Sequence, residues 1–270
     1  MAPEFPGPFD PVELSDLEFE HDGLRHLTFY SASLRGRGDV SLFIPRGTTF
    51  PTEIPLVLLL HGVYGSHWSW FLKGAAHRTA QQLIDSQEIR PMILAAPSDG
   101  LGGDGSGYWP MPTRDIEEWI VHDVPACVRR TFSSNGPTHI CGLSMGGYAA
   151  LRLGFKYPRL YCGISAHSPI TRAEQMYDFV RDRDLKLSQM PARDHDILHW
   201  AREHRDLLPP VRFDCGREDR LYQAGDALHR ELDALNILHT YETFAGSHEW
   251  PYWRRHIADT LRFFNSLTVV

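Results

Sequence analysis

The pentapeptide Gly142-Leu-Ser144-Met-Gly146 has the spacing of a nucleophile carried on a sharp turn. A serine hydroxyl attacks poorly until a base takes its proton and hydrogen-bond donors stabilise the oxyanion that the attack creates. Glycines two before and two after the serine let a strand reverse into a helix, because side chains at either place would collide in so tight a turn. By composition alone the pattern arises in about one chain in ten of this length. The flanks give it weight. Residues 138–141, Thr-His-Ile-Cys, read as a strand leading in, and a helix is expected from about 148 to 157, closed by Pro158.

Such a turn puts the Met145 amide at a helix N-terminus, where unpaired N–H groups and the helix dipole favour negative charge. Met145 N–H is therefore expected as one oxyanion donor. The second should come from the loop after the apolar run Leu56–Leu60, where His61-Gly62-Val63-Tyr64-Gly65 stands. Val63 N–H is assigned to it, with Gly62 letting the backbone approach a ligand; an ordinary glycine-rich connection is the alternative. The acid and the base should follow in the order Ser, acid, His, each on a loop after a late strand. Asp219 lies just past a strand ending near Cys215; Asp214 and Glu218 are its rivals, Asp214 falling within the strand. Of the 15 histidines, His248 follows the last strand and precedes the last helix, whereas His61 and His167 flank strand ends but come before the acid. The expected catalytic set is thus Ser144, Asp219 and His248.

Pocket walls are harder to place. The glycine-rich loop 98–109 follows a strand and brings Tyr108 and Trp109 towards the edge where sites form. It lacks the Gly-Lys-Ser/Thr ending of a phosphate cradle, so nucleotide binding is not expected. Trp68, Trp70 and Phe71 follow the oxyanion loop, as pocket wall or as core of the next helix. Gly62, Trp68, Tyr108 and Trp109 are taken as substrate-binding, and Trp250 and Trp253, three apart on a helix, as core. No His/Asp/Glu cluster shows metal spacing, so neither metal nor cofactor is implied.

These residues need a scaffold. Apolar runs alternate with helical patterns, the mark of a mostly parallel sheet flanked by helices, an α/β class. Strands are expected at 40–44, Leu56–Leu60, 92–96, 138–141, 211–215 and 239–243. Helices are expected at 115–132 (kinked by Pro125), 224–235 and 252–267. Residues 1–15 read as an exposed arm, and 169–210 as a small helical cap inserted over the sheet's carboxyl edge of one domain spanning 1–270. A 42% apolar fraction supports a sizeable core, and a net charge of −7 without Lys/Arg runs excludes a nucleic-acid footprint. No apolar run reaches the ~18 residues of a membrane span. The start has no basic segment followed by an apolar one, so a cytoplasmic protein is expected. The four cysteines are spaced neither for metal nor for a disulfide framework and are expected to be reduced. Self-association is left open.

Together, Leu60-His-Gly62, Gly103-Asp-Gly-Ser-Gly-Tyr108, the turn through Tyr148, Asp214-Cys-Gly with Asp219, and Gly246-Ser-His-Glu-Trp250 resemble an esterase family of α/β-hydrolases. That family includes tributyrin esterases, S-formylglutathione hydrolases, feruloyl and acetyl-xylan esterases and mycolyltransferases. The resemblance covers about residues 40–264 and is nearest the tributyrin-type members. It implies an α/β-hydrolase fold, a triad falling on Ser144, Asp219 and His248, no cofactor, and hydrolysis of short-chain carboxylic esters of small molecules. Tyr148 stands where glutathione-thioester hydrolases commonly carry His. Thioester, feruloyl or acetyl-carbohydrate hydrolysis and acyl transfer remain alternatives, as does a non-catalytic binding module.

Overall fold

The computed structural model describes residues 7–47, 52–100, 103–181 and 190–267. Strands β1 (Val12–Leu14), β2 (Leu24–Ser31), β3 (Gly36–Phe43), β4 (Leu56–Leu60) and β5 (Ile93–Pro97) come first, then the short pair β6 (Pro110–Met111) and β7 (Arg114–Asp115). They are followed by β8 (Thr138–Leu143), β9 (Gly163–His167), β10 (Val211–Gly216) and β11 (His239–Phe244). All but β6 and β7 join one sheet in the order β1-β2-β3-β5-β4-β8-β9-β10-β11. The run from β5 to β11 is parallel, and β1, β2 and β3 extend it antiparallel on one side. This is the α/β-hydrolase architecture.

The unbroken run Leu56–Leu60 follows from burial on two faces. Leu56, Leu58 and Leu60 enter one core with Ile140, Tyr148 and Phe213, while Val57 and Leu59 enter the other with Trp70, Leu94 and Phe264. Helices α1 (Ser69–Leu72), α2 (Ala76–Asp85), α5 (Met145–Lys156), α6 (Ile197–Glu203), α7 (Tyr222–Ala234) and α8 (Trp250–Leu267) cover the sheet with a long segment at 116–132. That segment comprises α3 (Ile116–Glu118), a wider π turn (Trp119–Asp123) and α4 (Val124–Phe132). Pro125 was expected to kink it. The helix widens just ahead of the proline, with Val124 N–H reaching back five residues to Trp119 O.

Five strands were not anticipated: β1, β2 and β9 of the main sheet and the short pair β6 and β7. Residues 12–14, expected in an exposed arm, pair antiparallel with β2; residues 1–6 lie outside the described residues. The connection from β9 to β10 carries short helices at Ala173–Asp178, Ala192–Asp194 and Arg205–Leu207 besides α6. Part of the expected cap, 182–189, lies outside the described residues.

A buried ion cluster ties this connection to the helix behind Ser144. The Arg152 side chain on α5 is fully buried, pairs with Glu117 and with Asp194 at 3.2 Å, and donates to Tyr108 O at 2.7 Å. Lys156 Nζ lies 2.6 Å from Glu117, and Trp200 Nε1 donates to Asp194 at 2.8 Å. Burial opposes ionisation of Glu117, yet Arg152, Lys156 and Tyr157 outweigh it and hold its carboxyl at about 2. A depressed carboxylate stabilises the fold above its unfolded value and loses that contribution as the pH falls towards its folded value. Arg152→Met should therefore cost about 3–5 kcal/mol in urea denaturation at neutral pH, by leaving two buried carboxylates to share the single cation of Lys156. The difference from wild type should shrink as the pH drops from 4.5 towards 2.

Candidate active site

At the carboxyl edge of the sheet β8 ends at Leu143, and the chain reverses through Ser144 into α5. Ser144 adopts φ 54° and ψ −117°, outside the regions that L-residues favour. Its backbone is pinned: the amide donates to His167 O at 3.0 Å, and its carbonyl accepts from Tyr148 N at 3.0 Å and Ile170 N at 3.2 Å. Strand and helix cross so closely that a Cβ on Gly142 would sit 2.0 Å from Gly146 O, and one on Gly146 2.2 Å from Leu60 O. The expected helix start at 148 is three residues late, because the helix begins at Met145 directly after the turn.

His248 lies in the loop between β11 and α8. Its Nε2 is 2.9 Å from Ser144 Oγ and its Nδ1 is 2.8 Å from Asp219 Oδ2. Phe179, from the β9–β10 connection, lies over the imidazole with centroids 4.8 Å apart, and Trp253 meets it edge-on at 5.0 Å. Asp219 Oδ1 accepts from Leu221 N–H at 2.8 Å. Burial disfavours its charge, but His248, the Leu221 amide and Ser168 hold the carboxyl below its ordinary value. Asp219 is thus an anion facing an imidazole that faces a serine. A hydroxyl so placed can lose its proton to Nε2 while the carboxylate fixes the proton on Nδ1.

The rival acids point elsewhere. Asp214 is fully buried against Arg212 at 2.6 Å, His167 at 2.8 Å and Tyr252 OH at 2.8 Å. Glu218 accepts from Gly246 N–H on the loop before His248. His61, buried beside Asp99 at 3.7 Å, is held below the ordinary histidine value by desolvation and turns Nδ1 to its neighbour's carbonyl.

A cavity of about 410 Å³ opens over Ser144. Of the expected wall residues, Gly62 and Trp68 line it together with Val63, whereas Trp70 and Phe71 are core. Tyr108 and Trp109 correct the sequence reading: both are buried and neither lines the cavity. Tyr108 OH donates to His61 O at 3.1 Å, and burial pushes its phenol well above the usual value, so it stays a donor. Trp109 packs edge-on against Tyr148. Trp250 and Trp253, read as core, do pack with the core, and they also line the cavity with Phe179 and Lys73. Their position immediately after His248 was a usable signal; nothing in the sequence marked Phe179. Met145 is the first residue of α5, so its amide has no partner within the helix. Val63 sits in a loop braced by Tyr64 N–H to Asp104 O at 2.9 Å and Gly65 N–H to Gly62 O at 3.1 Å.

The family model described as "Putative esterase" matches residues 31–264. The chain belongs to this family. An acetyl esterase from Caldicellulosiruptor saccharolyticus is 24% identical, over 91% of this chain and 99% of its own length. A ferulic acid esterase structure superposes with a TM-score of 0.79 at 20% identity, covering 95% of this chain and 98% of that one. The S-formylglutathione hydrolase of Staphylococcus aureus superposes with a TM-score of 0.77 at 18% identity, covering 93% and 98% respectively. The family member described here is a carboxylic ester hydrolase. Among its described residues no helix is long and apolar enough to cross a membrane.

The elbow geometry makes a steric prediction for this esterase. Gly146→Ala would drive a methyl group into Leu60 O and should cost about 3 kcal/mol or more in urea denaturation. Gly147→Ala, whose Cβ would meet Pro169 at 3.0 Å, should cost clearly less.

Proposed function

We propose that this esterase hydrolyses short-chain carboxylic esters through an acyl-enzyme on Ser144. The observation that carries this reading is the chain of contacts at 2.9 and 2.8 Å from Ser144 through His248 to Asp219, opening into the cavity. Ser144 Oγ attacks the ester carbonyl as its proton passes to His248 Nε2, and Asp219 stabilises the imidazolium. The amides of Met145 and Val63 hold the tetrahedral oxyanion. His248 then gives its proton to the leaving alcohol, and water repeats the sequence on the acyl-enzyme to release the acid. No cofactor enters.

Trp68, Phe179, Trp250 and Trp253 crowd the cavity and favour a small acyl group or a flat one. The same four side chains support a second reading, hydrolysis of aromatic-acid esters, in which the ring stacks on the wall. The short helices and Phe179 of the β9–β10 connection are read as a cap bearing on His248.

With p-nitrophenyl acetate, Ser144→Ala should lower kcat by at least about 10³-fold with the protein still folded. Near-full turnover would sink the mechanism. Asp219→Asn should also lose about 10³–10⁴-fold in kcat, while Glu218→Gln stays within a few-fold of wild type. An equal loss in both would move the orienting role away from Asp219. Running acetate, butyrate, octanoate and a feruloyl ester side by side, with added alcohols as acyl acceptors, separates the substrate readings.

A further inference from the structure

At the opposite edge of the sheet, a second group of side chains converges that the ester chemistry does not use. His229 and Asp233 stand one turn apart on α7, and His239 is the first residue of β11. A ligand atom from each lies within 4.8 Å of the others. Sequence spacing concealed the group, since its third member comes from a different element.

The proton count at this cluster is unfavourable. His239 Nδ1 lies 2.7 Å from Ile237 O, and a carbonyl only accepts, so the proton sits on Nδ1 and Nε2 carries a lone pair. That lone pair faces His229 Nδ1 at 2.8 Å. If His229 carries its proton on Nδ1, its Nε2 lone pair faces Asp233 Oδ2 at 3.5 Å. With the proton on Nε2 instead, two nitrogen lone pairs meet across the 2.8 Å contact. Either neutral tautomer of His229 therefore leaves one pair of acceptors facing each other, a conflict that a second proton on His229 or a metal cation held by the lone pairs removes.

We propose that His229, Asp233 and His239 form a site for a divalent transition-metal ion, of the zinc, cobalt or nickel type, that ties α7 to β11. Two imidazoles and a carboxylate suit these borderline ions, whereas magnesium and calcium prefer all-oxygen shells. Ligand atoms around a tetrahedral zinc stand about 3.3 Å apart, given metal–ligand bonds near 2.0–2.2 Å. With His239 Nε2 as the shared donor, His229 Nδ1 at 2.8 Å and Asp233 Oδ1 at 4.0 Å fall on either side of that value, and one ligand atom from each residue lies within 4.8 Å of the others, so small side-chain rotations close the shell. The bond from His239 Nδ1 to a backbone carbonyl is the outer-shell contact that aims a ligating nitrogen. The His239 imidazole is buried and stacked on Phe213 (15° between planes), while the side chains of His229 and Asp233 are 37% and 61% exposed, leaving a solvent path for the ion and for water in the remaining positions. His248 lies beyond the other end of β11, so the ion acts on stability and leaves turnover alone.

The test uses the full chain dialysed against EDTA and then titrated with ZnCl2 by calorimetry and thermal denaturation, and with CoCl2 by visible absorption. Expected are one ion per chain, a rise in Tm on adding zinc, and cobalt bands of a low-symmetry nitrogen/oxygen site. His239→Ala should weaken zinc binding at least about tenfold and abolish the Tm rise. Asp233→Asn, at an exposed position, gives the same comparison should the first variant fail to fold. Esterase turnover of the EDTA-treated wild type should stay unchanged. No stoichiometric binding, or wild-type affinity in a folded His239→Ala or Asp233→Asn protein, overturns the proposal; the latter result would assign binding to other histidines.

Discussion

Ser144 holds a backbone geometry, φ 54° and ψ −117°, that costs of order 1–3 kcal/mol. Much of the molecule is arranged so that this geometry persists. The turn keeps its shape because β8 and α5 cross with no room for a side chain at Gly142 or Gly146. Bonds from its backbone to His167, Tyr148 and Ile170 fix it to the sheet, to its own helix and to the following connection. Because the sheet is parallel here, the ends of β4, β8, β10 and β11 lie on the same edge. The loop from His61 to Gly65, Ser144, Asp219 and His248 follow from those ends. The orientation of one strongly constrained residue thus sets where every other group has to arrive.

Two buried charge networks support that edge from behind. Arg152, on the helix that Ser144 opens, binds Glu117, Asp194 and the carbonyl of Tyr108, and so joins α5 to the 116–132 helix, the β9–β10 connection and the glycine-rich loop. Tyr108 in turn holds the carbonyl of His61 at the head of the loop that follows β4. On the other side, Asp214 gathers Arg212, His167 and Tyr252, which takes that carboxylate away from the imidazole and leaves the place to Asp219. Neither network touches the cavity; each converts desolvated charge into fixed relative positions. Burial of such groups adds little net stability, so their main effect is geometric.

Much of the fold and of the site was legible in the sequence. Leu56–Leu60, Val211–Gly216 and the helix over Trp250–Leu267 carry strong patterns because burial on two faces or on one stripe forces them. The short strand Gly163–His167 escaped notice because a Gly-Ile-Ser-Ala-His run has little apolar periodicity, its burial coming from Thr260 and α5. The edge strand β1 and its neighbour β2 mix polar and apolar residues, and their pairing is a nonlocal event.

By itself the sequence determined the order of chemical groups, a serine after one strand, an acid and a histidine after later ones, on which the proposed mechanism rests. Chain order suffices because each loop of a parallel sheet returns to the same edge. Tertiary structure alone decided which aromatic residues face the cavity, since burial type does not distinguish a wall from a core: Trp250 and Trp253 face it and Tyr108 and Trp109 do not. It also brought Phe179 onto His248 and His239 onto His229. Those contacts join segments whose separation along the chain carries no record of their distance in space.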